Sequence, residues 1–187
     1  TSSQDDMSIT PTATVSMNLN DKSSWIGDAT ASDKNSVINV NVKNGSSWTG
    51  KATSAGITKV ALTDGTWNVT GDSSVQDVTA VNSTISVKDA SLTTQVLSAK
   101  DSNLVVDAGT TNALNVTGKA TGNVTVYNAG TVGLKNAKTA FITVGEGSDL
   151  KAKGTTEGGL YQYDLTQGAD GNFYFVKTRI KHTTPAP

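Results

Sequence analysis

The sequence SSWIGDAT at residues 23–30 recurs as SSWTGKAT at residues 46–53, and a degenerate copy, DGTWNVTG, follows at residues 64–71. An apolar pair precedes each copy, and such pairs continue along the chain after the tryptophans stop. The first members of the pairs stand at positions 17, 40, 60, 78, 96, 114, 132 and 150, so the steps are 23, 20 and then 18 five times. Self-similarity at a nearly fixed step is the signature of repeat architectures, and the sequence therefore predicts one.

Each repeat contains two segments with the spacing of β-strands, because the apolar residues within a pair lie two positions apart. The predicted core ladder consists of two columns, one of Trp25, Trp48 and Trp67, the other of Val60, Val78, Val96, Leu114 and Val132. Between the columns stand residues that tolerate a positive φ or close an Asx turn, beginning Asp21, Asn44, Asp64, Asn82, Lys100 and Gly118. A turn is therefore predicted to recur with the strands.

Two strands, a turn and a short returning segment in each repeat describe one coil of a β-solenoid. We predict an all-β fold, a single-stranded right-handed parallel β-helix of about eight coils that ends in a C-terminal β-hairpin cap. Its narrow core explains how a chain with 35% hydrophobic residues can fold. Helical repeats require helix-forming residues, and a β-sandwich built of hairpins has no reason to keep an 18-residue step.

The two ends of the ladder differ. We predict an irregular N-terminal segment at 1–14, coils at 15–159, a capping hairpin at 160–178 and a linker at 179–187. Most aromatic residues outside the tryptophan column lie in the hairpin, where an open solenoid end needs a cover. No comparable cap is visible at the N-terminus, so we expect further coils to precede this segment. Two alternatives remain open: a sugar-stacking platform of hairpin aromatics (Tyr161, Tyr163, Phe173, Tyr174) and a ligand-binding stripe of the three tryptophans.

Composition argues against several functional classes. Fifteen basic and sixteen acidic residues give a formal net charge of -1, so the overall charge favours neither nucleic acid nor an anionic membrane as a partner. The only histidine, His182, lies in the linker, which removes a Ser-His-Asp arrangement from the solenoid. Acidic residues fall mainly at predicted turns, and the glycine-rich GEGSD at 145–149 occurs once where a calcium-binding repeat needs tandem copies. We therefore predict no catalytic residue, no metal site and no cofactor.

The C-terminal part carries Y-x-Y-x-L followed by D-G-N-aromatic-Y, and it resembles the C-terminal passenger region of pertactin-like, AIDA-type autotransporters over residues 40–180. The resemblance implies an autochaperone region at about 60–180, which folds first and templates the other coils. The residues that it implicates in folding and capping are Tyr161, Tyr163, Leu165, Asp170, Gly171, Asn172, Phe173, Tyr174 and Phe175. Phe173 is a departure, because the family usually has tryptophan there.

The same resemblance implies a non-enzymatic passenger region, which acts as autochaperone and stalk of a bacterial surface adhesin or virulence factor. Its partners would be its own upstream coils, a C-terminal outer-membrane β-barrel that this chain lacks, and a host-cell receptor or a second copy. The implied location is the cell surface or the medium, reached through the periplasm and outer membrane. Two alternatives are a carbohydrate-binding or carbohydrate-cleaving solenoid such as a phage tailspike, which clustered outward carboxylates would favour, and an isolated structural solenoid.

Overall fold

The computed structural model describes residues 2–9, 13–88, 90–107, 113–130 and 140–180, and these residues form β-strands and no helix. The first ten strands are β1 (Ser2–Ser3), β2 (Met7–Ile9), β3 (Thr14–Leu19), β4 (Ser24–Ile26), β5 (Ala29–Ala31), β6 (Val37–Lys43), β7 (Ser47–Thr49), β8 (Ala52–Ser54), β9 (Ile57–Thr63) and β10 (Thr66–Asn68). The others are β11 (Ser73–Val81), β12 (Thr84–Ser86), β13 (Leu92–Val106), β14 (Leu114–Val116), β15 (Ala120–Asn128), β16 (Ile142–Thr143), β17 (Asp149–Lys153), β18 (Thr155–Gly158), β19 (Tyr161–Gln167) and β20 (Phe173–Ile180). Val132 and His182 lie outside the described residues.

Strands β1 to β17 wind into a β-helix with three faces, on each of which successive strands run parallel. The first face begins with β3, β6 and β9, the second with β1, β4, β7, β10 and β12, and the third with β2, β5 and β8. Strands β11, β13 and β15 bend around corners and contribute to more than one face. The parallel β-helix is confirmed, with about five turns where the sequence predicts about eight.

The tryptophan column forms the inside of the second face. Trp25, Trp48 and Trp67 are buried and stack, with ring centroids 5.2 and 4.6 Å apart and planes inclined by only 7° and 3°. Their register continues through Ile85, Leu104 and Val126. Because the indole rings lie in the core, the alternative of an outward ligand-binding stripe is wrong.

Each indole N–H is satisfied by the turn beneath it. Trp48 Nε1 donates to the Gly27 carbonyl at 2.8 Å, and Trp67 Nε1 donates to the Gly50 carbonyl at 3.1 Å. A Cβ at Gly50 would lie 1.8 Å from the Gly27 oxygen. The glycine of the repeated W-x-G therefore allows one turn to approach the next while the buried indole keeps its hydrogen bond.

The corner between the first and second faces repeats one conformation. Positive φ values between 48° and 54° occur at the predicted residues Asp21, Asn44, Asp64 and Asn82. In the next turn the left-handed residue is Asp101, with φ 49°, and the predicted Lys100 precedes it by one position. Short polar side chains that stabilise this conformation locally explain the preference for Asp and Asn.

The predicted valine column is correct for two residues and then fails. Val60 and Val78 are buried and directly paired on the first face. Val96 does not continue the column: it pairs with Asp77 and is 42% exposed, whereas Leu97 pairs with Val78 and is buried. Leu114 lies on the third face, where it pairs with Leu92 of β13 and with Ile142 of β16.

The valine column fails because successive coils of the β-helix become longer at one corner. The second-face pair Thr66–Thr84 spans 18 residues, but the third-face pairs Ser73–Leu92, Leu92–Leu114 and Leu114–Ile142 span 19, 22 and 28 residues. The additional residues enter where the chain passes from the second face to the third. Since a shift of one residue exchanges the inner and outer faces of a strand, the regular 18-residue step misassigns the later turns.

The N-terminal segment is more ordered than the prediction of an irregular 1–14 implies. Strands β1 and β2 pair with β4 and β5, and the Met7 N–H donates to the Asp28 carbonyl at 2.7 Å. The Asp5 carbonyl accepts the Trp25 indole N–H at 2.6 Å. In each of these bonds the N-terminal segment contributes a backbone group, so hydrophobic patterning of residues 1–14 gives no sign of them.

The third face is interrupted between β8 and the start of β11. Among the described residues, β2, β5 and β8 form a separate three-stranded sheet, and β8 is tied to the next turn by the Ala52 N–H, which donates to Ser73 Oγ at 3.0 Å. Two buried oxygens nearby, Thr58 Oγ1 and Gln76 Oε1, have no hydrogen-bond partner in the described part of the chain. Each such group destabilises the fold.

Thr58→Val tests whether the unpartnered Thr58 hydroxyl destabilises the fold. Because the Thr58 hydroxyl is buried without a partner, we expect the substitution to leave the free energy of unfolding unchanged or to raise it by up to about 1 kcal/mol. The matched control is Thr94→Val, since Thr94 Oγ1 donates to the Gln76 and Val96 carbonyls, and it should lower stability by about 1–2 kcal/mol. Urea unfolding of both variants makes the comparison, and equal destabilisation would contradict it.

Candidate functional site: the C-terminal cap

The residues singled out from the motifs lie in a small antiparallel sheet after the last turn. Strands β19 and β20 form a hairpin, and β18 pairs with the other edge of β19. The predicted hairpin at 160–178 thus forms, but the antiparallel unit extends over residues 155–180. It takes in β18, which the prediction assigns to the coils, and the first residues of the predicted linker.

The cap is bonded to the last turns through its backbone. Phe173 of β20 pairs with Ile142 of β16 in antiparallel register, and its carbonyl accepts the Phe141 N–H at 2.8 Å. The Leu165 N–H donates to the Gly154 carbonyl at 2.8 Å. An antiparallel strand therefore occupies the edge where a further parallel strand would otherwise add, which stops the ladder.

The inner face of the cap extends the hydrophobic core. Leu165, Phe173 and Phe175 are buried and belong to the same apolar cluster as the solenoid interior. The ring of Phe175 meets that of Phe141 edge to face, with centroids 4.8 Å apart and planes inclined by 77°. The sequence analysis did not identify Phe141; the apolar run Ala140-Phe141-Ile142 is the signal that could have found it.

The D-G-N motif forms the turn of the hairpin. Gly171 has φ 84°, in the region that favours glycine, and its N–H donates to the Gly168 carbonyl at 3.0 Å. The Asp170 carboxylate accepts the Asn172 N–H at 3.0 Å. Asn172 Oδ1 accepts the Val144 N–H at 3.0 Å, so this side chain links the turn directly to the solenoid.

A second hydrogen bond to the Asp170 carboxylate comes from the side chain of Tyr174. The Tyr174 hydroxyl donates to Asp170 Oδ2, and this bond, together with the Asn172 N–H, holds the pKa of Asp170 below its ordinary value of 3.8. The same bond raises the pKa of Tyr174 above 10.0, because it stabilises the protonated phenol.

This pair predicts a small pH dependence. Since the folded-state pKa of Asp170 is lowered, its contribution to stability is present above pH 3.8 and is lost as the pH falls below that value. We expect Tyr174→Phe, which removes the hydroxyl, to flatten the acid limb of the curve of urea midpoint against pH. Parallel acid limbs in wild type and variant would show that the bond does not contribute in solution.

The remaining motif residues occupy different positions in the cap. Tyr163 is partly buried and packs against the core, whereas Tyr161 stands at the exposed end of the hairpin with Lys177 Nζ 4.3 Å from its ring centroid. Phe173 is buried, and Tyr174 engages Asp170 at the turn. The aromatic residues therefore do not form one outward platform, and the alternative of a four-residue sugar-stacking surface is wrong.

Four of the acidic residues considered in the sequence analysis lie in different local settings. Asp64 and Asp101 sit in the left-handed corner, Asp72 Oδ1 accepts the Ser91 N–H at 3.0 Å, and Asp77 lies 4.0 Å from Lys59. In the part of the chain that the structure describes there is no group of three histidine, cysteine or acidic side chains that could hold a metal ion. The described residues also include no helix with the length and hydropathy of a membrane span.

Comparison with known proteins identifies the architecture. The structure of the autotransporter UpaB from E. coli strain CFT073 superposes with a TM-score of 0.81 and is 39% identical, covering 95% of this chain. The Haemophilus influenzae Hap adhesin superposes over the same share with a TM-score of 0.54 and 16% identity, which supports the fold alone. The chain spans 47% of the UpaB chain and 24% of the Hap chain. No protein-family model and no curated protein matches the sequence.

Proposed function

We propose that this chain, a region of an autotransporter passenger, is the folding nucleus and stalk of a longer β-helix that is displayed on a bacterial surface or secreted. The observation that carries the proposal is the cap: an antiparallel sheet with a phenylalanine-rich core closes the C-terminal edge. The opposite edge offers parallel strands on which further turns can stack. The partners would be upstream coils of the same passenger.

A folding nucleus must be more stable alone than the coils that it templates. The cap buries Phe173 and Phe175 against the last turn and is tied to it by backbone bonds and by Asn172. In a one-dimensional stack each turn gains stability from its neighbour, so a preformed end lowers the entropic cost of adding the next. Export that delivers the C-terminal end first would make this edge available early.

We propose no catalytic role for the chain. The passenger to which it belongs would bind a partner and would not catalyse a reaction. Hap is described as an adhesin, and adhesion is the passenger activity that we propose here as well. Binding to a host-cell receptor or to a second copy would be a property of the whole passenger. The cap would contribute to it by keeping the stalk folded.

Refolding kinetics test the nucleus directly, because all three tryptophans lie in the N-terminal half and report on distant turns. If the cap forms first, Phe173→Leu should slow the recovery of tryptophan fluorescence and hardly change the unfolding rate. Ile38→Val, a buried change in an early turn, should mainly accelerate unfolding. The opposite pattern would show that the cap forms late and is not a nucleus.

The complementary test uses the parent protein on intact cells. Phe173→Ser should reduce the protease resistance of the upstream passenger, since its turns would lack a folded template. Full wild-type protection in this variant would count against the proposal.

A further inference from the structure

The cap presents an unusual edge at the end opposite its turn. Of the seven large hydrophobic residues exposed in the described chain, four belong to the cap: Leu160 at 72%, Tyr161 at 36%, Val176 at 44% and Ile180 at 64%. Tyr161 and Ile180 are cross-strand partners, and Leu160 precedes Tyr161. We name Leu160, Tyr161, Lys177, Arg179 and Ile180 the basic edge.

Two cations stand within this apolar edge. Lys177 Nζ lies over the Tyr161 ring, and Arg179 donates from Nε and Nη2 to Gln162 Oε1 at 3.1 and 2.9 Å. Tyr161, Lys177 and Arg179, with Thr178 and Ile180, line an open groove of about 350 Å³. The Tyr161 ring holds Lys177 on the face of the hairpin that carries Tyr161 and Ile180, whereas Gln162 holds Arg179 on the other face.

We propose that the basic edge binds an anionic lipid surface. A tyrosine, two aliphatic side chains and two long cations lie at the same end of the hairpin, on its two faces, and an end inserted into the boundary between headgroups and acyl chains would place all of them there. The cations would meet lipid phosphates, while Leu160, Tyr161 and Ile180 would enter the apolar boundary.

The charges around the edge favour an anionic occupant. Two carboxylates lie near the edge: Asp164 accepts hydrogen bonds from Thr155 and Gln162, and Glu157 of β18 pairs with Gln162 on the face that carries Arg179. The chain continues after Ile180 with Lys181, which has the same sign as Lys177 and Arg179. Residues 181–187 contain no acidic residue, so they do not complement Lys177 and Arg179 electrostatically, whereas an external anionic surface would.

Vesicle co-sedimentation of the whole chain tests the proposal, with phosphatidylcholine vesicles compared with vesicles that also contain phosphatidylglycerol. We expect binding only to the anionic vesicles, and weaker binding as salt is raised. Lys177→Gln and Arg179→Gln should each weaken it by about fivefold, since one cation near an anionic surface is worth about 1 kcal/mol. Ile180→Ser should also weaken it.

The matched control is Lys59→Gln, an exposed cation on the first face of the solenoid, which should leave binding unchanged. Each variant is checked for folding by near-ultraviolet circular dichroism. Absent binding, equal loss in Lys59→Gln, or an unchanged affinity in Ile180→Ser together with Lys177→Gln would overturn the proposal. So would displacement by inorganic phosphate at constant ionic strength, because the ligand would then be free phosphate.

Discussion

Gly50→Ala is expected to lower the free energy of unfolding by about 3 kcal/mol or more, the upper end of the range for overpacked sites. The new Cβ would meet the Gly27 carbonyl oxygen at 1.8 Å and the Trp48 indole nitrogen at 2.9 Å. Backbone and a stacked, buried ring surround the site, so nothing close to it can move cheaply. Urea unfolding followed by circular dichroism measures the loss.

Gly71→Ala is the matched control. Gly71 follows Trp67 by four residues, in the turn after the one that contains Gly50. Its Cβ would meet only the Lys51 side chain, at 3.2 Å, and that flexible chain can move away. We expect a change within about 0.5 kcal/mol. If both substitutions cost the same, the close approach of turns at the W-x-G motif would not be the cause.

Phe175→Ala is the second large effect, with an expected loss of about 3–5 kcal/mol. Phe175 is fully buried and meets Phe141 edge to face, so the substitution leaves a cavity between the cap and the last turn. Stability in a stack depends on neighbouring turns, and the loss should therefore also lower the urea midpoint seen by the distant tryptophans.

The control is the adjacent residue of the same strand. Val176 points outward and is 44% exposed, so Val176→Ala should change stability by less than about 0.5 kcal/mol. A Phe175→Ala protein whose tryptophan transition is unshifted would mean that the cap and the early turns unfold as separate units.

Large residues made part of the fold predictable from the sequence. The recurrence of W-x-G predicted which tryptophans lie at equivalent positions in successive turns, but it left open whether the rings face the core or the solvent, which the structure decides in favour of the core. Two adjacent apolar residues do not reveal which of them faces the core. Val96 and Leu97 each fit an alternation of apolar and polar residues, and only tertiary packing decides that Leu97 is the buried one. Turn lengthening at the third-face corner then moved Leu114 to another face.

In the cap, too, some features were predictable from the sequence and others were not. Its turn was predictable, because D-G-N supplies a glycine for a positive φ and side chains that bond to nearby backbone. Its docking was not, since Phe141 and the bond between Asn172 and Val144 depend on contacts between residues distant in sequence. The basic edge could not be foreseen either, because the sequence does not show how far the hairpin extends beyond the core.

The direction of the ladder hydrogen bonds has a mechanical consequence. Strands lie across the axis of the β-helix and their hydrogen bonds run along it, so a load along the axis acts on one interface between turns after another. One turn adds about 5 Å of height when folded. Unrolled, the 18 residues between Thr66 and Thr84 can span roughly 60 Å. Each turn that unrolls would therefore become more than ten times longer than its folded height, so a rod of this kind can release tension by losing one turn at a time.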